Sequence, residues 1–211
     1  RHFTVDLFKP DEVRSLLRHL RPKRVLHLAW DATPKLYWSS PLNLRWFEAS
    51  LHLFTEFQRA GGERFVLAGT AGEYDWSTGI CREDGPCRPE TLYGSTKLSL
   101  GHILSKRAEL SFASARLFSV FGPFEPRERL VPTVISKLLR AEEVPCPSGR
   151  QIRDFLPVEE MADALSALLR SEVQGAVNIA SGVSTSLHTL LSEIGRAAGR
   201  EELLHFGALP D

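Results

Sequence analysis

Short apolar runs alternate with longer stretches of helical period along this chain, and that alternation restricts the fold more than any other feature. Arg24-Val25-Leu26-His27-Leu28-Ala29 is compact and apolar with a β-branched residue, as a strand covered on both faces requires. Arg64 to Thr70 reads as a second strand, ending on a hydroxyl residue, and Ser114 to Phe121 as a third, closed by Gly122-Pro123. Helical period marks Asp11 to Leu20, with Pro10 near its start, and Pro41 to Ala60, which stops at Gly61-Gly62. Phe3 to Leu7 reads as the end of one more strand. Strands alternating with helices of about ten or more residues predict an α/β fold with a doubly wound parallel sheet. Ligands of such sheets bind outside the C-terminal strand ends, where Ala29, Thr70 and Phe118 fall.

The pattern changes after residue 125. Leu130 to Arg140 and Val158 to Leu169 read as helices, Pro145 to Asp154 as loop with a possible short strand, Val177 to Ala180 as a strand and Leu187 to Ala198 as a last helix. That mixture predicts a small C-terminal α+β lobe, and 211 residues suffice for one domain with such an addition. Lys and Arg number 26 against 26 Asp and Glu, so the formal net charge is zero and binding of nucleic acid or a membrane surface by charge alone is disfavoured. No apolar run reaches the ~18 residues of a membrane span. Arg1 to Asp6 has no signal-peptide core, and Cys81, Cys87 and Cys146 form neither metal-ligand spacing nor an even disulfide set. A reduced, cytoplasmic protein without a metal is the expectation.

The chemistry concentrates at Leu92-Tyr93-Gly94-Ser95-Thr96-Lys97, followed by Leu98, Leu100, Ile103 and Leu104 at helical spacing. Tyr93 and Lys97 then lie one turn apart on one helix face. An ammonium beside a phenol favours the phenolate and draws the tyrosine pKa down from about 10 toward neutrality, where it can exchange a proton with a carbonyl or hydroxyl oxygen. The competing reading is an amphipathic helix with a packed tyrosine and a surface lysine.

Further motifs accompany this pair in order: Asp6-Leu7, His27-Leu28-Ala29, Asn43, Phe65 to Thr70, Tyr74, Arg116, Phe121-Gly122-Pro123, Arg153-Asp154-Phe155 and Asn178-Ile179. With them the chain resembles, over essentially its whole length, the extended short-chain dehydrogenase/reductase family, in its nucleotide-sugar branch. The resemblance implies a Rossmann-like portion over residues 1–125 and a substrate lobe over 126–211, interleaved with the sheet. It implies Tyr93 as acid/base, Lys97 as its pKa partner and a ligand of the nicotinamide ribose, and Thr70 bonded to the reacting sugar oxygen. Asp6 and Leu7 would lie by the adenine, Leu28, Ala29 and Trp30 along the cofactor, and Phe118 near the nicotinamide of NAD or NADP. Ser119 and Arg153 would meet the nucleotide sugar, the guanidinium fork suiting diphosphate oxygens. Thr70 can equally be a strand-end threonine serving a backbone group, Arg153 a surface arginine paired to Glu159 or Glu160, and His27 a packed structural histidine. The helices at 41–60 and 93–110 pair into a dimer core in the family, so a homodimer is expected.

Two departures bear on function. The family's glycine-rich turn, Gly-x-x-Gly-x-x-Gly, which cradles a pyrophosphate at a helix N-terminus, does not occur before Asp6. Roughly the first two strand–helix units are therefore expected to be missing, by truncation in preference to a real loss. Family members that dehydrate sugars carry an aspartate and a glutamate directly after the threonine, whereas Ala71 and Gly72 stand here and Glu73 is displaced by one. Dehydration is disfavoured. Trp30 and Phe206 to Pro210 resemble the deoxysugar 4-ketoreductases and epimerases, so reduction of a 4-keto nucleotide sugar is expected first and 4-epimerisation with tightly bound NAD second. A non-catalytic dinucleotide-binding relative, or a fragment, is the third reading.

Overall fold

The computed structural model describes residues 1–107 and 109–210 and divides into two compact units, Arg1–Leu117 with Ala162–Ile179, and Phe118–Met161 with Ala180–Asp211. The first unit holds a four-stranded, all-parallel sheet in the order β1 (Arg24–His27), β2 (Arg64–Thr70), β3 (Ser111–Leu117), β7 (Gly175–Ile179). Helices α1 (Pro10–Leu20), α2 (Leu42–Arg59) and α3 (Leu92–Ser105) belong to the same unit. Pro10 opens α1, Asp11 and Glu12 occupy its first turn, Arg18 and His19 its last, and Val13 and Leu17 are its buried stripe. Every residue of β2 from Arg64 to Gly69 is buried, which is why this strand reads as an unbroken apolar run.

The core joins Phe54 and Phe57 of α2, Leu100 and Leu104 of α3, and Phe65 and Phe112 of the strands. Full burial of each such side chain stabilises the unit by about 1.5–3 kcal/mol. Arg64, buried at the start of β2, donates to Ser111 Oγ at 2.7 Å, to the Leu168 carbonyl at 2.9 Å and to the Val173 carbonyl at 2.6 Å. Its two terminal nitrogens are thus served by a neighbouring strand and by the chain that returns to β7, while the buried Nε has no hydrogen-bond partner among the described residues.

In the second unit, β4 (Ser119–Phe121) pairs in parallel with β6 (Ile152–Pro157), which pairs antiparallel with β8 (Ser184–Ser186). A second ladder joins β5 (Val144–Cys146) to β9 (Leu204–Phe206). There α4 (Leu130–Leu139) and α6 (Leu187–Ala198) pack with these strands around Val134, Leu138, Leu191 and Leu204. Helix α5 (Val158–Arg170) carries the chain from the second unit into the first.

Two strand expectations are corrected. Phe3 to Leu7 is not a strand: the Asp6 carboxylate accepts from the Phe8 N–H at 2.9 Å and the Asp6 carbonyl from the Lys9 N–H at 3.0 Å, an Asx turn that leads into α1. Ser114 to Phe121 is not one strand either; it divides at Phe118, and Ser119–Phe121 joins the sheet of the second unit. Among the described residues no helix is long and apolar enough to cross a membrane, and no cluster of His, Cys, Asp or Glu is arranged to hold a metal ion.

Candidate active site

Helix α3 is seated by contact of backbone on backbone. Thr91 caps it, its hydroxyl accepting from the Gly94 N–H at 3.1 Å. A Cβ at Gly94 would collide with the Gly72 carbonyl oxygen and come within 3.0 Å of Pro89 Cβ. The first turn of α3 therefore rests directly on Ala71–Glu73, the one-turn 3-10 helix that follows β2. This contact holds Tyr93 and Lys97 to the end of β2. Gly94→Ala is expected to lower stability by about 1–3 kcal/mol, because the interfering atoms are backbone and cannot rotate away. Denaturant titration checks it; a variant as stable as the parent would mean the helix can shift freely.

Lys97 is buried, with its Nζ donating to the Ala68 carbonyl at 2.8 Å. That ammonium lies 3.8 Å from the Trp30 ring centroid and 5.8 Å from that of Tyr93. Burial lowers the Lys97 pKa to about 7, with the Glu73 carboxylate opposing. The surface-lysine reading of Tyr-x-x-x-Lys is therefore excluded, and a lysine held near neutrality beside a phenol is the kind of unit that moves protons.

Thr70 closes β2 and serves the backbone: its Oγ1 accepts from the Gly72 N–H at 3.1 Å, and its own N–H donates to Glu73 Oε1 at 2.9 Å. Using the oxygen as acceptor leaves the hydroxyl proton for donation outward. The structural and the substrate-facing readings of Thr70 are thus compatible. Glu73 turns inward and binds Arg116, Oε2 to Nε at 2.8 Å, with both side chains buried. Burial pushes the Glu73 carboxyl up, while the Thr70 N–H and Arg116 pull it back. Arg116 also donates to the Glu83 carbonyl at 3.2 Å and to Cys87 Sγ at 3.2 Å, and its guanidinium lies 4.5 Å from the Tyr74 ring centroid. Tyr74 in turn donates to Asn178 Oδ1 at 2.6 Å. Arg116, Tyr74 and Asn178, motif residues without a role legible in the sequence, form this internal brace. Glu73 is a structural carboxylate, not a displaced proton donor.

Aromatic rings surround Tyr93. Tyr37, Trp38 and Trp30 meet it edge-on at centroid separations of 4.9, 5.8 and 6.3 Å, and the Tyr93 N–H donates to the Trp38 carbonyl at 3.1 Å. Tyr37 and Trp38 sit in a turn-rich segment without helical or strand period, so nothing in the sequence marks them. His27 is buried, bonded to Ser50 Oγ at 2.8 Å, and burial lowers its pKa to about 3; it is a neutral packed histidine.

The first unit thus brings together Thr70, Tyr93, Lys97 and Trp30. Leu28 and Ala29 follow β1 and are exposed; Asp6 is exposed in its turn, and Leu7 packs against the phenylalanine core. Phe118, Ser119 and Arg153 lie in the second unit: Ser119 is in β4, and Arg153 is exposed in β6 with its guanidinium donating to the Ile152 carbonyl at 2.7 Å. Asp154 beside it accepts from the Ser181 and Gly182 N–H groups, each at 2.7 Å, and fixes the turn before β8. For a nicotinamide dinucleotide, the ammonium of Lys97 and the hydroxyls of Tyr93 and Thr70 are a donor set that suits the nicotinamide ribose and a reacting oxygen. No Gly-x-x-Gly-x-x-Gly cradle for the pyrophosphate is present in the sequence.

Comparison with known proteins gives one family. Its model, described as the NAD dependent epimerase/dehydratase family, matches residues 1–180. The chain is 27% identical over 168 residues to the ADP-L-glycero-D-manno-heptose-6-epimerase of Nitratidesulfovibrio vulgaris, covering 71% of this chain and 52% of that protein. Among solved structures, a UDP-N-acetylglucosamine 4-epimerase from Methanobrevibacter ruminantium in complex with UDP-N-acetylmuramic acid matches with a TM-score of 0.86 and 25% identity, over 97% of this chain and 68% of that one. The UDP-glucose 4-epimerase of Thermus thermophilus, complexed with NAD, matches with a TM-score of 0.80 and 25% identity, over 98% and 71%. The chain spans about half the length of the curated relatives it matches.

Proposed function

Because this chain belongs to the NAD dependent epimerase/dehydratase family, we propose that it carries the acid–base half of an NAD-dependent enzyme that epimerises a nucleotide sugar. One observation carries this reading: Lys97, buried and with its pKa near neutrality, lies one helical turn from Tyr93, against the carbonyl that precedes Thr70 by two residues. NAD supplies a hydride acceptor and donor when bound, and Lys97 and Tyr93 are the residues that would hold its nicotinamide ribose. Tyr93 takes the proton from the sugar hydroxyl oxygen as the carbon is oxidised and returns it to that oxygen on reduction. Thr70 donates its O–H to the same oxygen and fixes where it sits. Lys97 in its protonated form favours the phenolate of Tyr93 by its charge. The second unit, with Arg153 exposed on β6 and Ser119 on β4, is the proposed holder of the nucleotide diphosphate sugar.

Epimerisation takes precedence because epimerases recur among both the curated relatives and the solved structures that the chain resembles. Ketoreduction of a 4-keto sugar is the second reading, favoured by Trp30, a bulky residue where the resemblance implies a small one. Dehydratases also stand among the chain's relatives, and dehydration is disfavoured on residues alone: Ala71 and Gly72 cannot move a proton, and Glu73 is committed to Arg116. A homodimer through α2 and α3 belongs to the same proposal.

The test is the cofactor content and product of the protein expressed from the natural start of its reading frame. Release of NAD on denaturation, with interconversion of epimers of a UDP-hexose or ADP-heptose in the absence of added reductant, is expected. A protein that is empty as purified but oxidises added NADPH with a 4-keto nucleotide sugar would transfer the assignment to ketoreduction. Neither activity, with no dinucleotide bound, would overturn both.

A further inference from the structure

We propose that the Trp30 indole is a displaceable cover on Lys97, and that moving it aside is part of dinucleotide entry and sets the affinity. The inference rests on the dinucleotide reading above and gives a specific task to Trp30, which the resemblance places only generally along the cofactor. Of the three N–H bonds on Lys97, one is committed to the Ala68 carbonyl. The face of the Trp30 ring, 3.8 Å from Nζ, covers another side of the ammonium. A π face attracts a cation but offers no oxygen to its N–H groups, so a ribose hydroxyl can bond to Lys97 there only after the indole has left.

The indole is held by contacts that are individually weak. Its Nε1–H donates to Asn43 Oδ1 at 2.8 Å, its ring stacks on Trp46 with centroids 6.1 Å apart, and it meets the Tyr93 ring edge-on at 6.3 Å. Trp46 continues to Phe8 at 4.6 Å, and the Arg45 guanidinium lies 4.6 Å from the Phe8 centroid. A row of three rings thus runs between two cations, and Trp30 is its end member over Lys97. Trp30 follows β1 and is only partly buried, at the edge of the phenylalanine core. The contact adds to the Ala68 carbonyl and the Glu73 carboxylate in compensating the buried Lys97 charge.

The test compares full-length parent, Trp30→Leu and Trp30→Phe proteins in two measurements. NADH titration, followed by nicotinamide fluorescence, should show Trp30→Leu binding about tenfold tighter than the parent, the scale of one desolvated cation–π contact. Reductive methylation of the cofactor-free proteins, read by peptide mass, should proceed faster at Lys97 in Trp30→Leu. Trp30→Phe, which keeps a π face, should stay near the parent in both. Equal or weaker NADH binding by Trp30→Leu would show that the indole is a fixed wall of the site, and would overturn the cover while leaving the dinucleotide reading in place. Absence of NADH binding in all three proteins would overturn that reading and the cover with it.

Discussion

Tyr93→Phe is expected to lower turnover about 10²- to 10⁴-fold, the range for loss of a positioned general acid or base. The reason is geometric before it is chemical. Thr91 and Gly94 fix the first turn of α3 onto the end of β2, and Lys97 is anchored to the Ala68 carbonyl one turn further on. Removing one oxygen changes none of those contacts, and the aromatic neighbours Tyr37, Trp38 and Trp30 still meet a ring of the same size. Substrate affinity should therefore hold while the chemical step fails, a fall in kcat with KM nearly unchanged. Steady-state kinetics on the full-length protein give the answer, and near-normal turnover would return Tyr93 to a packing role.

Glu73→Ala should lower stability by about 3–5 kcal/mol, the usual consequence of taking one partner from a buried ion pair. Its carboxylate serves the Arg116 Nε–H and the Thr70 N–H together. Arg116 would keep its charge without a carboxylate, its guanidinium left to the Glu83 carbonyl and a thiol. The neighbourhood is shaped for the carboxylate: a Cβ at Gly69 would come within 2.6 Å of Glu73 Oε1. The double variant Glu73→Ala, Arg116→Met should recover part of the loss, since no uncompensated charge remains. Equilibrium unfolding of the single and double variants measures both effects; a single-variant loss under about 1 kcal/mol would mean that water replaces the carboxylate.

Periodicity makes the first unit legible. Strands β1 and β2 and helices α1 and α2 lie within a few residues of their expected bounds, because each has one strong pattern and a clear stop, whereas α3 ends at Ser105, short of the expected 93–110. Strand β3 departs from expectation at its end: Phe118-Ser119-Val120-Phe121 keeps the composition of a strand while the chain changes sheets, and composition does not encode a change of partner. Strands β8 and β9 give no signal because three residues carry no period. At the site, Tyr93 and Lys97 are visible through their spacing, whereas the roles of Glu73 and Arg116 depend on a contact across 43 residues. Loop residues such as Tyr37 and Trp38 reach Tyr93 by tertiary folding alone.

Gly94 separates what can drift in this protein from what cannot. Because a helix backbone lies on the Gly72 carbonyl without an intervening side chain, the spacing of the helix from the end of β2 is set by main-chain atoms. Rotamer changes or substitutions among the surrounding rings alter the walls of the site without altering that spacing. Exchange of Tyr37 or Trp38 is thus expected to change the surroundings of Tyr93 while Tyr93 and Lys97 keep their seat at the end of β2.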